Sequence, residues 1–252
     1  MNPIRRHEKI MEVLLNQKEI TVNELSEKLG VTGKTIREDL SQLEERGLIL
    51  RVHGGAVLAQ SDQLGILPTQ AQPLATHSDE KAEIAVRACA LLEPDDIIAL
   101  DGGSTTLAIA RAIGHLPLTV VTNDLHIIRE LIPKNNIRLV VPGGYRVRNI
   151  LTGPEAVAYI SHLNLKKAFV SATAIHPEHG LSVYTTDSLE YKQALVRTAR
   201  HVYAVADHHK FGRTALRTFA KLSDVELILT DSGLPTETAE AFREAGAAVD
   251  CG

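Results

Sequence analysis

Residues 21–56, TVNELSEKLGVTGKTIREDLSQLEERGLILRVHGGA, constrain the fold of this chain more than any other stretch. Thr21 followed by Glu24 has the spacing of a capping box, in which each side chain satisfies a free amide at a helix start. Val22, Leu25 and Leu29 form the apolar stripe of a short helix, and Gly30 closes it as a residue that tolerates positive φ. Thr32 is placed to cap a second helix that buries Ile36, Leu40 and Leu43 and turns Lys34, Thr35, Arg37, Glu38 and Ser41 outward. Upstream, Ile10, Val13 and Leu14 mark a third helix. After Gly47, the apolar run 48–52, the turn His53-Gly54-Gly55 and the run 56–58 read as a glycine-tipped hairpin. Three short helices and such a wing make a winged helix-turn-helix, whose usual partner is the major groove of double-stranded DNA. The competing reading is a small helical module that docks on protein. The wing and the exposed Lys34, Thr35 and Arg37 weigh against it.

Charge limits how such a module could bind. Residues 1–59 hold nine Lys/Arg and nine Asp/Glu, so the region is neutral and its affinity depends on where the cations sit. The candidates are Arg5 and Arg6 in an N-terminal arm, Thr32, Lys34, Thr35 and Arg37 on the second helix, and Arg51 and His53 in the wing. Few phosphate contacts give weak binding by one copy and a shallow salt dependence. A homodimer or homotetramer reading paired half-sites of an operator would restore affinity.

The predicted division is a DNA-binding domain over 1–58, a linker over 59–77 and a larger α/β domain over 78–252. From Gln60 to Thr76 the chain is rich in Gln, Pro, Ser and Ala, and Pro68 and Pro73 keep it extended. No Lys or Arg occurs between Arg51 and Lys81. The larger part carries the whole net charge of −4. Cys89 and Cys251 form no disulfide framework, and nothing resembles a signal peptide or a membrane span, so a cytoplasmic chain is expected.

Beyond Ser78 short apolar strands (97–100, 118–121, 137–141, 168–171, 202–205, 227–229) alternate with helices at about 80–92, 103–114, 124–132, 154–161, 187–200 and 235–245. That alternation implies a largely parallel sheet covered on both faces. In such sheets the ligand crevice lies beyond the carboxyl ends of the strands. Those ends are polar or glycine-rich here: Asp101-Gly102-Gly103-Ser104-Thr105-Thr106, Thr122-Asn123, Pro142-Gly143-Gly144, Ala172-Thr173, Asp207 and Thr230-Asp231. The DGGSTT segment pairs two glycines with three hydroxyls at a helix start, where free amides and the helix dipole suit a phosphate. Asp101 would repel that phosphate and is assigned to a sugar hydroxyl or to the loop.

VTGKTIREDL followed by LILRVHGGA resembles the N-terminal signature of the DeoR family of bacterial transcriptional regulators. Members usually carry two consecutive arginines where this chain has Arg37 and Glu38. DGGSTT, Thr122-Asn123, Gly143-Gly144 and the DHHKFG run at 207–212 resemble the family's effector domain. The resemblance implies a fold like ribose-5-phosphate isomerase and coenzyme A transferases, and a phosphorylated sugar or polyol as effector. Ser104, Thr105 and Thr106 would hold the phosphate, with Lys210, or Arg146 and Arg148, as cations nearby; Asp207 lies in the same motif and Lys192 matches a basic position of the family. Ser188 stands where an acid is common, with Glu190 as a substitute, and His209 where serine is usual. The function implied is repression of a sugar-utilisation operon, released by the effector.

The main alternative is a sugar-phosphate isomerase, since Asp101, Asp187, Glu190 and Lys210 could supply acid–base groups. No spacing compels that, and a fused DNA-binding domain has no use in such an enzyme. A constitutive DNA-binding scaffold is a third possibility that the polar rim disfavours. No cofactor is expected. His176 with His179 and His208 with His209 lack the helical metal spacing and are read as structural or solvated, so no metal is expected either.

Overall fold

The computed structural model describes residues 2–17, 19–45, 48–52, 54–58 and 77–252. The expectations for Gly47 and His53 and for nearly all of the linker, with Pro68 and Pro73, fall outside these residues.

Near the N-terminus, α1 (Pro3–Gln17), α2 (Val22–Leu29) and α3 (Gly33–Glu45) surround a core of Ile10, Met11, Leu14, Leu25, Ile36, Leu40 and Leu43. The capping box forms as expected. Thr21 Oγ1 accepts the Glu24 amide at 3.3 Å, and the Glu24 carboxylate accepts the Thr21 amide at 2.9 Å. Gly30 ends α2 in the left-handed conformation at φ 64°. The wing strands β2 (Ile49–Val52) and β3 (Gly55–Leu58) pair antiparallel. A strand the sequence did not disclose, β1 (Glu19–Thr21), pairs with the other edge of β3. Gly55 permits that pairing, because a Cβ there would run into the Ile20 carbonyl.

In the second part of the chain all six expected strands form: β4 (Ile97–Leu100), β5 (Leu118–Val121), β6 (Ile137–Val140), β9 (Lys167–Ser171), β12 (His201–Val205) and β14 (Leu227–Leu229). With β15 (Val249–Asp250) they make, among the described residues, a seven-stranded parallel sheet ordered β15-β14-β12-β9-β4-β5-β6. Both faces are covered, as continuous apolar strands require. Ile98, Leu100, Val120, Phe169 and Val205 point to α4 (Ser78–Ala90), α5 (Ser104–Ala112) and α6 (Leu125–Leu131). Their neighbours Ala99, Val121, Ala168, Val170 and Ala204 face α7 (Pro154–Ser161), α8 (Leu189–Thr198) and α9 (Thr236–Glu244). One-residue alternation along each strand thus divides two hydrophobic cores.

Two smaller elements were not foreseen. A hairpin of β7 (Tyr145–Val147) and β8 (Ile150–Thr152) follows the glycine pair, and β10 (Ala174–His176), β11 (Gly180–Val183) and β13 (Arg217–Ala220) form an antiparallel sheet. Ala174, Tyr184 and Ala215, from the sheet and its flanks, join the same buried cluster as the winged helix. The Glu8 and Arg217 side chains add an ion pair at 3.7 Å across that contact. Cys89 and Cys251 are free thiols. Among the described residues no helix is long and apolar enough to cross a membrane.

Candidate functional site: a cleft beside a winged helix

The chain runs from β4 outward to β5 and β6, then returns to lay β9 on the other side of β4. Loops leaving β4 and β9 therefore diverge, opening a crevice at the topological switch point. A cleft of about 570 Å³, mouth included, opens there. Asp101 and Gly102 come from the end of β4, Asn123 from the end of β5, and Ser171, Ala172 and Thr173 from the end of β9. The β7–β8 hairpin supplies Arg148 and Asn149, and the segment after β11 supplies Tyr184, Thr185, Asp187 and Ser188.

The floor is an internal ion pair. Asp101 Oδ2 accepts the Lys192 ammonium and the Ser171 amide, the latter at 3.0 Å. Lys192 also donates to the Ser171 carbonyl at 2.9 Å and lies 5.3 Å from the centre of the Phe219 ring. Each charge compensates the other, so Asp101 is held by protein groups and does not leave the floor negative. Beside it, Asp124 caps α6 by accepting the His126 and Ile127 amides at 2.7 and 3.2 Å, while Asn149 donates to its other oxygen at 2.6 Å. Burial, helped by the nearby Asp101 charge, pushes the Asp124 carboxyl up to about 6.

Two residues bordering the cleft carry a buried polar atom with no hydrogen-bond partner among the described residues: Asn123 its Oδ1 and Tyr184 its hydroxyl. Asn123 Nδ2 is already engaged by the Leu151 carbonyl at 2.8 Å, which fixes Oδ1 as the free acceptor. Leaving such atoms unsatisfied costs about 1–3 kcal/mol each, so a ligand with hydroxyls fits this wall. Arg148 has a left-handed backbone (φ 53°), uncommon for a residue other than glycine.

Of the effector residues expected from sequence, Asp101, Gly102, Asn123 and Lys192 border the cleft. Ser104, Thr105 and Thr106 are buried at the start of α5 and do not; the Thr106 hydroxyl donates back to the Gly103 carbonyl at 3.0 Å. Gly103 is required for packing, since a Cβ would stand 2.7 Å from Ser171 Oγ. Thr122 turns its hydroxyl to the Asp124 amide at 3.2 Å. Gly143 and Gly144 take left-handed φ of 84° and 97°, and Gly144 lies against the Thr152 carbonyl, so the pair shapes a turn. Arg146 is exposed on β7 outside the cleft, so Arg148 is the guanidinium at the wall. Asp207 caps a 3₁₀ turn by accepting the His209 amide at 3.2 Å, and Lys210 is buried on that turn. Asn149, Ser171, Tyr184 and Thr185 also line the cleft and are not marked as binding residues by the sequence, which gives Thr173 only as part of the polar rim and Asp187 only as a possible acid–base group.

On the winged helix, Arg5, Lys34, Arg37 and Arg51 are exposed. Thr32 caps α3 through the Thr35 amide at 3.3 Å, and Lys34 approaches Glu38 at 4.0 Å. Arg51 ties the wing to α3, donating its guanidinium to Ser41 Oγ at 3.0 Å and its amide to Glu44 at 2.9 Å. Arg6 departs from expectation. No arm forms, because α1 begins at Pro3, and the Arg6 guanidinium turns inward to Asp39 with two contacts at 2.5 and 2.8 Å. His7 Nε2 shares that carboxylate at 3.0 Å. Arg6 is only 9% exposed, so it locks α1 to α3 and presents no charge to a phosphate.

Beneath α1 lies a second groove of about 730 Å³, bounded by Arg5, Glu8, Lys9 and Glu12 on one side and by Arg148, Thr185, Thr186 and Asp187 on the other. Arg148, Thr185 and Asp187 thus line both the switch-point cleft and the groove under the DNA-binding helices.

A winged helix docked on a parallel-sheet domain with a ligand-sized cleft defines a DNA-binding regulator that carries a sensor. Residues 6–62 match the DeoR-like helix-turn-helix domain and residues 76–232 the DeoR C terminal sensor domain, and the chain belongs to the DeoR family of transcriptional regulators. It is 31% identical to the glycerol-3-phosphate regulon repressor of Escherichia coli (strain K12), covering 97% of each chain. It is 33% identical to the transcriptional regulator GolR of Listeria innocua, over 98% of this chain and 97% of that one. A solved ribose 5-phosphate isomerase A from Methanocaldococcus jannaschii shares the α/β fold at 17% identity and a TM-score of 0.41, over 54% of this chain and 55% of that one. That likeness is too slight to bear on chemistry. The matched models and the relatives are those of transcriptional regulators, not of enzymes.

Proposed function

We propose that this regulator represses a sugar- or polyol-utilisation operon and is released from DNA by a phosphorylated sugar or polyol bound in the switch-point cleft. The division into a DNA-binding part over 1–58, a linker over 59–77 and an effector-binding, oligomerising part over 78–252 belongs to the same reading. Arg148, the guanidinium at the cleft wall, attracts the phosphate. Asn123 Oδ1 and the Tyr184 hydroxyl meet the ligand's hydroxyls. Lys34, Thr35 and Arg37 enter the major groove from α3, with Thr32, Arg5 and Arg51 at the phosphates. A homodimer or homotetramer in the cytoplasm reads paired half-sites.

The observation that carries this reading is the wall common to the cleft and the groove under α1. A ligand drawing Arg148 and the 184–188 segment into the cleft withdraws them from α1, which favours a different seat for the winged helix. Ligand and DNA then oppose each other through differential affinity for two arrangements. Thermal melting against phosphorylated sugars and polyols, each with its unphosphorylated counterpart and inorganic phosphate, tests it. A phosphorylated compound at 100 times its Kd adds about 2.7 kcal/mol of stability. Absence of any such compound would leave the effector assignment without support. Arg37→Ala should weaken operator binding by about tenfold or more while leaving that melting shift intact; unchanged DNA affinity would remove α3 from the groove.

A further inference from the structure

At the far side of the same strand ends lies a group of side chains to which the effector cleft gives no task. His77, the residue before α4, Glu80 in the first turn of α4 and His209 on the 3₁₀ turn after β12 have ligand-type atoms all within 4.8 Å of one another. The His77 and His209 ring centroids are 4.0 Å apart. His77 Nδ1 lies 3.3 Å from Glu80 Oε1, whereas His77 Nε2 is buried with no hydrogen-bond partner among the described residues. His77 also holds a left-handed backbone at φ 55°, a conformation that costs a non-glycine residue about 1 kcal/mol or more. A strained histidine set beside a second imidazole and a carboxylate brings together the donor types that hold a transition metal.

Next to it, His208 stacks on His209 with centroids 3.8 Å apart, and Asp231 Oδ2 holds its Nδ1 at 2.6 Å. A carboxylate on one ring nitrogen orients a histidine so that the other can ligate. We propose that His77, Glu80 and His209 bind one divalent first-row transition ion, zinc being the best fit, with His208 Nε2 or water in the fourth position. Two imidazoles, one carboxylate and an open place suit zinc, and imidazole donors disfavour magnesium or calcium, which take oxygen ligands. Such an ion pins the residue where the chain enters α4 to the turn after β12, and so fixes one end of the connection from the winged helix.

Spacing alone cannot disclose this site, because it pairs His208 with His209 and His176 with His179, whereas the fold brings His77 to His209. The group His176, Glu178 and His179 also has ligand atoms within reach of each other. Two of its three members are exposed, and His176 Nδ1 already accepts the Glu178 amide at 3.2 Å, as in an ordinary polar turn.

The test is calorimetric titration of chelator-treated full-length protein with ZnCl₂, alongside Co²⁺ absorption spectra and thermal melts with MgCl₂ as control. One equivalent of zinc per chain is expected, with a Kd weakened about tenfold or more in each of His77→Asn, Glu80→Gln and His209→Asn. Folding of the variants is checked by circular dichroism, and His176→Asn should bind as the parent does. Zinc binding weaker than about 100 μM in the parent, or binding unchanged in both His77→Asn and His209→Asn, would overturn the site.

Discussion

The winged helix and the switch-point cleft are built on opposite plans. The helices of the winged helix are set largely by local devices: a cap three residues from its partner, a stripe repeating every three or four residues and a glycine at a helix end. The Arg6–Asp39 pair and the β1–β3 ladder close the module over a few tens of residues. The cleft is lined by six separate segments between Asp101 and Lys192 and closes on an ion pair 91 residues apart in sequence. A module specified locally keeps its shape when its seat changes. A cleft assembled from distant segments rearranges when any one of them moves. That contrast suits a sensor that must move and an output element that must not.

The largest effect is expected where the cleft depends on its distant pair. Lys192→Met removes the partner of a buried carboxylate and should lower stability by about 3–5 kcal/mol, read by urea denaturation. A loss below about 1 kcal/mol would mean that Asp101 is compensated by other groups and that the floor is not built on this pair. A smaller effect belongs to Asp124, whose folded pKa of about 6 lies above the ordinary 3.8. The folded protein therefore holds a proton that the unfolded chain releases. This contribution to stability is fully present below about pH 4 and is lost as pH rises through about 6, at no more than about 1.4 kcal/mol per pH unit. Asp124→Asn should accordingly gain in stability relative to the parent between pH 4 and 7, and a constant difference across that range would contradict the buried carboxyl. The smallest change tests the local plan: Thr21→Ala, which removes one cap, should cost about 1 kcal/mol and leave effector binding untouched.

The same contrast explains what could be read in advance. The caps, the helices and the six apolar strands are written in residue type and period, and they form where expected. β1 escaped because Glu19-Ile20-Thr21 offers a single apolar side chain, and the β7–β8 hairpin because it lies between segments read as loop and helix. Arg6 misled because adjacent arginines suggest a charged arm, although Arg6, Ile10 and Leu14 already share one face of a helix that begins at Pro3. In the cleft, strand ends were a sound guide to Asp101, Gly102 and Asn123, and Lys192 came from the family pattern. Ser104 to Thr106 looked like phosphate ligands by composition, but the first turn of α5 is packed against β9 and faces inward. Asp124 could have been found as a cap directly after Thr122-Asn123. Tyr184 and Thr185 could not, because nothing local says that the segment after β11 crosses between the cleft and α1.

The most direct measurement of the coupling is operator affinity by fluorescence anisotropy at one salt concentration, without and with a saturating amount of the phosphorylated compound that raises the melting temperature. Operator binding about 100-fold weaker with the cleft filled is expected, with DNA weakening ligand binding by the same factor. Equal affinity with the cleft demonstrably occupied would contradict the account.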